Sequence, residues 1–211
     1  MKITEIKRKG KSEVYKLFVD GSFYSLFLAE IIVKHHIKTN NEINSEVLHE
    51  YKNESDILLC KTMALSYVSK ALKTEKQVRD YLKKYGFESI AICDAISKLK
   101  EYGYLNDEYY AKLLSNSLSL SRGKRYIKNE LKQKGIAEEK IDVALNELKN
   151  EDEACLTQTN KWLKGKELPL DKKNKEKLYR FLLGRGFGYD TIKTVLNKID
   201  NNLLNEDEYF N

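Results

Sequence analysis

The chain has 211 residues, of which 41% are hydrophobic and 33% charged, and it carries a net charge of +6 and three cysteines. This apolar content supports a packed core and excludes a disordered chain. The cysteines are odd in number and lack Cys-x-x-Cys spacing, which argues against a disulfide framework or a zinc ribbon. We therefore expect Cys60, Cys93 and Cys155 to be buried thiols. The charged first dozen residues and the lack of an apolar run of about 20 residues predict a cytoplasmic protein without a signal peptide or membrane span.

Residues 1–54 predict a small N-terminal β-hairpin followed by helices. Aromatic and β-branched residues are frequent at 14–19, Asp20-Gly21 supplies a tight turn, and 22–26 returns as the second strand. Residues 3–7 are a candidate third strand. Two strands alone are marginally stable, so we expect helices at 29–35 and 45–51 to cover the hairpin, with Ser45 as the cap of the second helix.

The remainder of the chain contains a threefold repeat. Gly86, Gly135 and Gly186 lie about 50 residues apart, and apolar residues recur around each of them at offsets of three, four and seven. These offsets describe a helix that ends at the glycine and a second helix that follows it. A further helix precedes each pair, at 57–72, 107–120 and 151–164, and Thr74 with Gln77 resembles a capping box. The predicted modules are 55–105, 106–150 and 151–200, followed by an acidic tail at 201–211.

The predicted fold class is therefore mainly α, with three tandem three-helix modules and a small N-terminal β-hairpin plus helices. Units of about 50 residues bury little surface alone, so we expect successive modules to stack into an elongated curved body. Basic residues concentrate at 70–79, 122–134 and 161–185, between acidic segments at 42–56 and at the C-terminus. This distribution favours an anionic partner. No nucleophile elbow, phosphate loop or metal-ligand spacing is present, so we expect a binding protein without cofactor or metal rather than an enzyme.

Four segments in order resemble the RecX family. Residues 64–79 read ALSYVSKALKTEKQVR, 99–107 read LKEYGYLND, 122–136 read RGKRYIKNELKQKGI and 180–187 read RFLLGRGF. These motifs are similar to the openings of the family's modules, to its junction between the first two modules and to its C-terminal segment. Lys70 and Lys73 stand where the family usually has arginine, Gln77 where it has glutamate, and Gly184 where it has a polar residue. The resemblance covers about residues 55–200.

This resemblance implies a cytoplasmic, monomeric, non-enzymatic regulator of the RecA recombinase. Such a protein binds the RecA–DNA filament and restrains the recombinase, ATPase and coprotease activities of RecA, and single- or double-stranded DNA is a candidate direct partner. Two alternatives remain open on the residues alone. One is a direct DNA-binding protein whose helix pairs act as helix-turn-helix units, and the other is a helical scaffold for an unrelated protein partner.

Nine basic residues are the candidate contacts with the filament. Lys124, Lys128 and Lys132 recur at four-residue spacing and so share one helix face, which could meet phosphates or an acidic protein surface. The alternative interpretation of this stripe is an ordinary solvated helix face. The full candidate set is Arg79, Lys83, Arg122, Lys124, Arg125, Lys128, Lys132, Arg180 and Arg185.

Overall fold

The structure is a computed structural model that describes residues 1–148, 151–166 and 170–208, with side chains as far as residue 199. The chain divides into two compact units, Met1–Asn106 and Asp107–Asn211. The predicted acidic tail at 201–211 falls partly in the last helix, and its side chains lie outside the described residues. The division between the units falls next to the predicted boundary between the first two modules.

The first unit begins with a three-stranded antiparallel sheet. Strands β1 (Ile3–Arg8), β2 (Val14–Val19) and β3 (Ser22–Leu28) lie in the order β1-β2-β3. The turn between β2 and β3 has positive φ angles of 48° at Asp20 and 83° at Gly21, which is the backbone twist that a tight hairpin requires. The predicted hairpin is thus confirmed, and the candidate strand at 3–7 joins it.

A short helix and a long helix cover this sheet. Helix α1 spans Ala29–Lys34, as predicted, but α2 runs without a break over Ser45–Val68. The prediction of separate helices at 45–51 and 57–72 is therefore wrong, and the predicted module boundary at 54/55 falls inside α2. The predicted cap is also wrong, because Asn44 rather than Ser45 accepts the hydrogen bond from the Glu46 amide, at 2.8 Å.

The polar residues between the two helices that were predicted separately are compatible with one continuous helix because they find partners within the fold. Lys52 and Asp56 form an ion pair of 2.6 Å, one turn apart. Ser55 is fully buried, and its hydroxyl accepts a hydrogen bond of 2.9 Å from the Leu28 amide of β3. Helix α2 consequently contributes Leu48 to the core under the sheet and Cys60 to the core of the first module.

Each predicted module contains three helices. The first is formed by the C-terminal half of α2 with α3 (Glu75–Lys84) and α4 (Ser89–Glu101). The second comprises α5 (Asp107–Ser119), α6 (Lys124–Gln133) and α7 (Glu138–Asn146). The third comprises α8 (Glu151–Leu163), α9 (Lys172–Gly184) and α10 (Tyr189–Glu208). The predicted fold class of tandem three-helix modules behind a small sheet is confirmed.

The repeat glycines end the middle helix of each module, as predicted. Gly86, Gly135 and Gly186 have φ angles of 83°, 80° and 86°, a left-handed conformation that costs little only without a Cβ. The capping box at Thr74 is also present, because Thr74 accepts from the Gln77 amide at 3.3 Å and donates its own amide to the Gln77 side chain at 3.0 Å. These local sequence signals therefore predicted the helix ends correctly.

The cysteines only partly follow the prediction. Burial raises the pKa of the Cys60 thiol to about 11 and that of Cys155 to about 12, as expected for buried thiols. Cys93 is exposed, so the prediction of burial is wrong for it. The residue lies on the outer face of α4, where the Arg79 guanidinium approaches its sulfur at 3.6 Å.

In the second unit, the turn before α6 packs directly on the turn between α9 and α10. The Gly123 amide donates to the Arg185 carbonyl at 3.0 Å, and the Arg125 amide donates to the Gly186 carbonyl at 3.2 Å. The Lys124 amide donates to the Glu151 carboxylate at 2.9 Å. The first amides of α6, which have no partner inside their own helix, are thus satisfied by the third module. We call this contact between the two turns the glycine junction.

The glycine junction has no room for side chains at its two glycines. A Cβ added to Gly123 would lie closer than 3.0 Å to the Gly186 carbonyl, a separation that real Cβ atoms essentially never show. A Cβ added to Gly186 would clash equally with the backbone of Tyr126. The second and third modules therefore approach each other backbone to backbone.

We expect Gly123→Ala to lower the free energy of unfolding by about 1–3 kcal/mol, the usual cost of overpacking. The φ of −80° at Gly123 is allowed for alanine. The loss of stability therefore measures the disrupted contact between the two turns rather than backbone strain. Gly184→Ala is the matched control, because a Cβ there meets nothing within 4 Å. It should leave stability unchanged or raise it by up to about 1 kcal/mol. Urea denaturation measures both, and equal effects of the two variants would contradict the junction.

Candidate macromolecular interface

The nine candidate contact residues differ in whether an acidic side chain already neutralises them. A cation that is paired within the protein contributes less to attracting an anionic partner than one that is not. Three of the nine, Arg79, Lys128 and Lys132, form ion pairs. The remaining six have no ion pair to a carboxylate within the described residues.

In the first module, Arg79 is part of an internal network. Its guanidinium lies 2.7 Å from the Glu75 carboxylate, and Lys100 of α4 binds the other oxygen of Glu75 at 2.6 Å. Hydrogen bonds from Lys100 and Arg79 lower the pKa of Glu75, so the carboxylate stays charged at neutral pH. Arg79 therefore helps to tie α3 to α4 and is a weak candidate for contact with a partner.

Lys83 is exposed on α3, and an aromatic cluster joins α3 to α2 in the same module. The rings of Tyr67 and Tyr81 stack at 4.1 Å with an interplanar angle of 3°, and Tyr85 meets Tyr81 edge to face at 5.0 Å. Lys73 places its ammonium 5.0 Å from the Tyr67 ring. Tyr85 keeps 58% of its surface exposed. Tyr67 belongs to α2, so the cluster depends on the packing of α2 against α3 and was missed from the sequence.

The predicted lysine stripe on α6 is largely neutralised by α7. Lys128 binds Glu138 at 2.5 Å and Asp142 at 3.2 Å, and Lys132 binds Glu138 at 3.0 Å. The hydrogen bonds from Lys128 and Lys132 lower the pKa of Glu138. The four-residue spacing does place these lysines on one face, as predicted, but that face meets acidic residues of the neighbouring helix.

Lys124, the first residue of the stripe, also has acidic surroundings. It lines a shallow cavity together with Glu151, Asp152 and Glu153 at the start of α8. No ion pair joins Lys124 to these carboxylates in the described part of the chain, yet their field reduces the attraction of an anion to it. Lys124 is thus a weaker candidate than its position on the stripe suggested.

The four candidate arginines of the second unit have no carboxylate partner among the described residues. Arg125 and Arg180 are exposed on α6 and α9, and the Nε of Arg180 donates to the Glu176 carbonyl at 3.4 Å. Arg122 and Arg185 flank the glycine junction, one on each turn. We call these two the junction arginines. Sequence reasoning named all four but could not separate them from the paired lysines.

Aromatic rings hold the junction arginines in place. The Arg122 guanidinium lies 4.5 Å above the Tyr126 ring, and that of Arg185 lies 4.5 Å above the Phe181 ring. Arg185 also donates from Nη1 to the Ser121 carbonyl at 3.5 Å, which brings it next to Arg122. Burial and the charge of Arg122 lower the pKa of Arg185. The two cations therefore repel each other, and neither has a carboxylate partner among the described residues.

The described residues contain no helix long and apolar enough to cross a membrane. They also contain no group of three or more histidine, cysteine or acidic side chains placed to hold a metal ion. The side-chain geometry that stands out is thus the division between paired and unpaired cations. It marks the second unit as the more suitable part of the chain for an anionic surface.

The fold defines a protein of tandem three-helix modules preceded by a small sheet. Models of the first, second and third three-helix domains of RecX match residues 60–99, 106–145 and 150–196. The chain belongs to the RecX family of regulatory proteins. The three family domains correspond in order to the three modules seen in the structure.

Full-length relatives agree with the domain matches. The chain is 36% identical to the regulatory protein RecX of Clostridium botulinum (strain Eklund 17B / Type B) over 201 residues, 93% of this chain and 94% of that protein. It is 36% identical to that of Clostridium perfringens (strain 13 / Type A), over 94% of this chain and 95% of that protein. It is 31% identical to that of Streptococcus pneumoniae (strain CGSP14), over 98% of this chain and 80% of that protein.

Two solved structures share the fold. A crystal structure of regulatory protein RecX superposes with a TM-score of 0.66 at 19% identity, and covers 93% of this chain and 98% of that one. RecX from Lactobacillus salivarius superposes with a TM-score of 0.64 at 28% identity, and covers 69% of this chain and 97% of that one. The low identities restrict this likeness to the fold.

We expect Glu138→Gln to release Lys132, to leave Lys128 paired with Asp142 alone, and to strengthen binding to single-stranded DNA, used as a simple polyanion. The slope of log affinity against log salt should steepen by about 1 as Lys132 reaches a phosphate. Glu147→Gln is the matched control, since it removes the same charge from the end of α7 but acts on Lys112, which stays paired with Glu108. Fluorescence anisotropy at several salt concentrations measures both. Identical curves for the two variants would remove the α6 lysines from the binding surface.

Proposed function

We propose that this chain binds the RecA–DNA filament and restrains the recombinase, ATPase and coprotease activities of RecA without catalysing a reaction itself. Membership of the RecX family supports a regulatory role, and the name of the relatives supports RecA as the target. The proposal places the protein in the cytoplasm, in the control of DNA recombination and repair and of the SOS response.

The single observation that carries the choice of surface is the set of four arginines without acidic partners in the second unit. A RecA–DNA filament is an anionic target because it contains DNA, and unpaired arginines attract anions more strongly than neutralised lysines do. Arginine also forms bidentate bonds with phosphate and carboxylate groups that lysine cannot form. We therefore assign the main contact to Arg122, Arg125, Arg180 and Arg185.

This assignment changes the ranking of the nine basic residues as contacts with the filament. Lys128, Lys132 and Arg79 become stabilising groups of their own modules, because Glu138, Asp142 and Glu75 already bind them. Lys83 and Lys124 remain secondary candidates. Bound to the filament, the chain would act by bridging neighbouring RecA subunits and opposing their addition or turnover.

The test is the DNA-dependent ATP hydrolysis of RecA with increasing concentrations of the chain. We expect the wild-type protein to inhibit it, and we expect Arg125→Glu combined with Arg180→Glu to need about ten times more protein for the same inhibition, since two exposed charges contribute about 1.4 kcal/mol together. Lys16→Glu, an exposed lysine on β2, is the matched control and should inhibit as the wild type does. Absence of any wild-type effect at saturating concentration would contradict the proposal.

A direct DNA-binding role is the second candidate, and the same arginines favour it because they would meet bare DNA equally well. The two roles differ in their dependence on RecA. If the chain binds bare DNA as tightly as it binds filaments and leaves ATP hydrolysis unchanged, DNA alone is its target. Preferential binding to RecA-coated DNA supports the filament as the target.

A further inference from the structure

The junction arginines are held in an arrangement that is unfavourable for the protein alone. Arg185 reaches across the glycine junction to the Ser121 carbonyl, at 3.5 Å, and the charge of Arg122 is near enough to lower the pKa of Arg185. Neither guanidinium meets a carboxylate in the part of the chain that the structure describes. Like charges at close range repel, and the repulsion grows as the site loses contact with water.

Arg185 also has an unsatisfied donor. Its Nε is buried and has no hydrogen-bond partner within the described structure. Buried polar groups are nearly always hydrogen-bonded, and a charged donor without an acceptor is more costly than a neutral one. An oxyanion bound by the other N–H groups of Arg185 would supply the missing counter-charge and so lower the cost of this buried donor.

The rings beside the junction arginines determine how such an oxyanion can bind. Tyr126 covers one face of the Arg122 guanidinium and Phe181 one face of Arg185, each at 4.5 Å. A guanidinium stacked on a ring presents its N–H groups along its edge, in the plane that bidentate bonds use. Each junction arginine therefore keeps in-plane N–H donors that suit an oxyanion.

The helix terminus beside the pair is not the binding group. The first amides of α6 are already occupied, by the carbonyls of Arg185 and Gly186 and by the carboxylate of Glu151. An anion at this place would depend on the guanidinium groups. The glycine junction contributes by fixing the backbone from which both arginines project.

A phosphodiester fits these features better than a protein carboxylate. Arg125 on α6 and Arg180 on α9 are further arginines without acidic partners in the described part of the second unit. A series of unpaired cations matches the regular series of charges on a nucleic-acid strand, in which each phosphate exposes two oxygens. A carboxylate would satisfy the pair alone and leave the other arginines unexplained.

We propose that Arg122 and Arg185 together bind one phosphodiester group of DNA, and that the glycine junction exists to hold them in register for it. This proposal rests on the proposed function in one respect, which is that the bound DNA is the strand inside the RecA filament. It predicts a measurable affinity for bare DNA, whatever the effect on RecA.

Arg122→Gln is the most informative variant, because the Arg122 side chain makes no hydrogen bond to the backbone of the described residues and its loss relieves the repulsion on Arg185. We expect its affinity for a single-stranded oligothymidine to fall about tenfold, and the salt slope to become shallower by about 1. Its thermal unfolding midpoint should not fall. Arg122→Lys keeps the charge but loses the bidentate geometry, so we expect the wild-type salt slope with reduced affinity.

Lys16→Gln, which removes one exposed lysine from β2, is the matched control and should bind oligothymidine as the wild type does.

Arg122→Gln with unchanged DNA affinity would overturn the phosphodiester site. If that variant then inhibits RecA less well, the pair binds a protein carboxylate instead, and the proposed function survives. If Arg122→Gln binds DNA more weakly and also has a lower unfolding midpoint, Arg122 has a structural role and the site is again overturned. Reduced DNA affinity without any wild-type effect on RecA would retain the site and contradict the proposed function.

Discussion

The second unit depends on the close approach of two turns at the glycine junction. Gly123 and Gly186 allow their backbones to meet, and the carbonyls of the α9–α10 turn accept the first amides of α6. This contact satisfies a helix end that has no side-chain cap of its own. It also carries Arg122 on one turn and Arg185 on the other. The same backbone contact therefore joins two modules and positions two arginines that have no carboxylate partner among the described residues.

Much of the fold was predictable because its signals are local. The positive φ angles of the repeat glycines, the Asp20-Gly21 turn and the capping box at Thr74 each depend on a few neighbouring residues. The continuity of α2 was not predictable in this way. Ser55 looks like part of a polar break in the sequence, and only its hydrogen bond to a distant strand makes it suitable for a buried helix position.

The candidate site was only partly predictable. Residue type and spacing identified the basic residues and placed Lys128 and Lys132 on one face. They could not show that Glu138 of the following helix neutralises both lysines, because that pairing depends on how α6 packs against α7. The Arg122-Gly123 motif matched the family pattern. A glycine is needed there because Gly186, about 60 residues further along the chain, leaves no room for a Cβ. Tertiary contacts therefore decide which cations remain available.

Amide hydrogen exchange at the glycine junction tests this account most directly. The amides of Gly123 and Arg125 precede or begin α6, where amides would exchange rapidly if no other segment bonded them. Their bonds of 3.0 Å and 3.2 Å to the α9–α10 turn predict protection as strong as that of Ile127 inside the helix. Exchange of these two amides at the rate of an exposed loop, with Ile127 protected, would show that the turns do not meet. The junction arginines would then have no fixed arrangement.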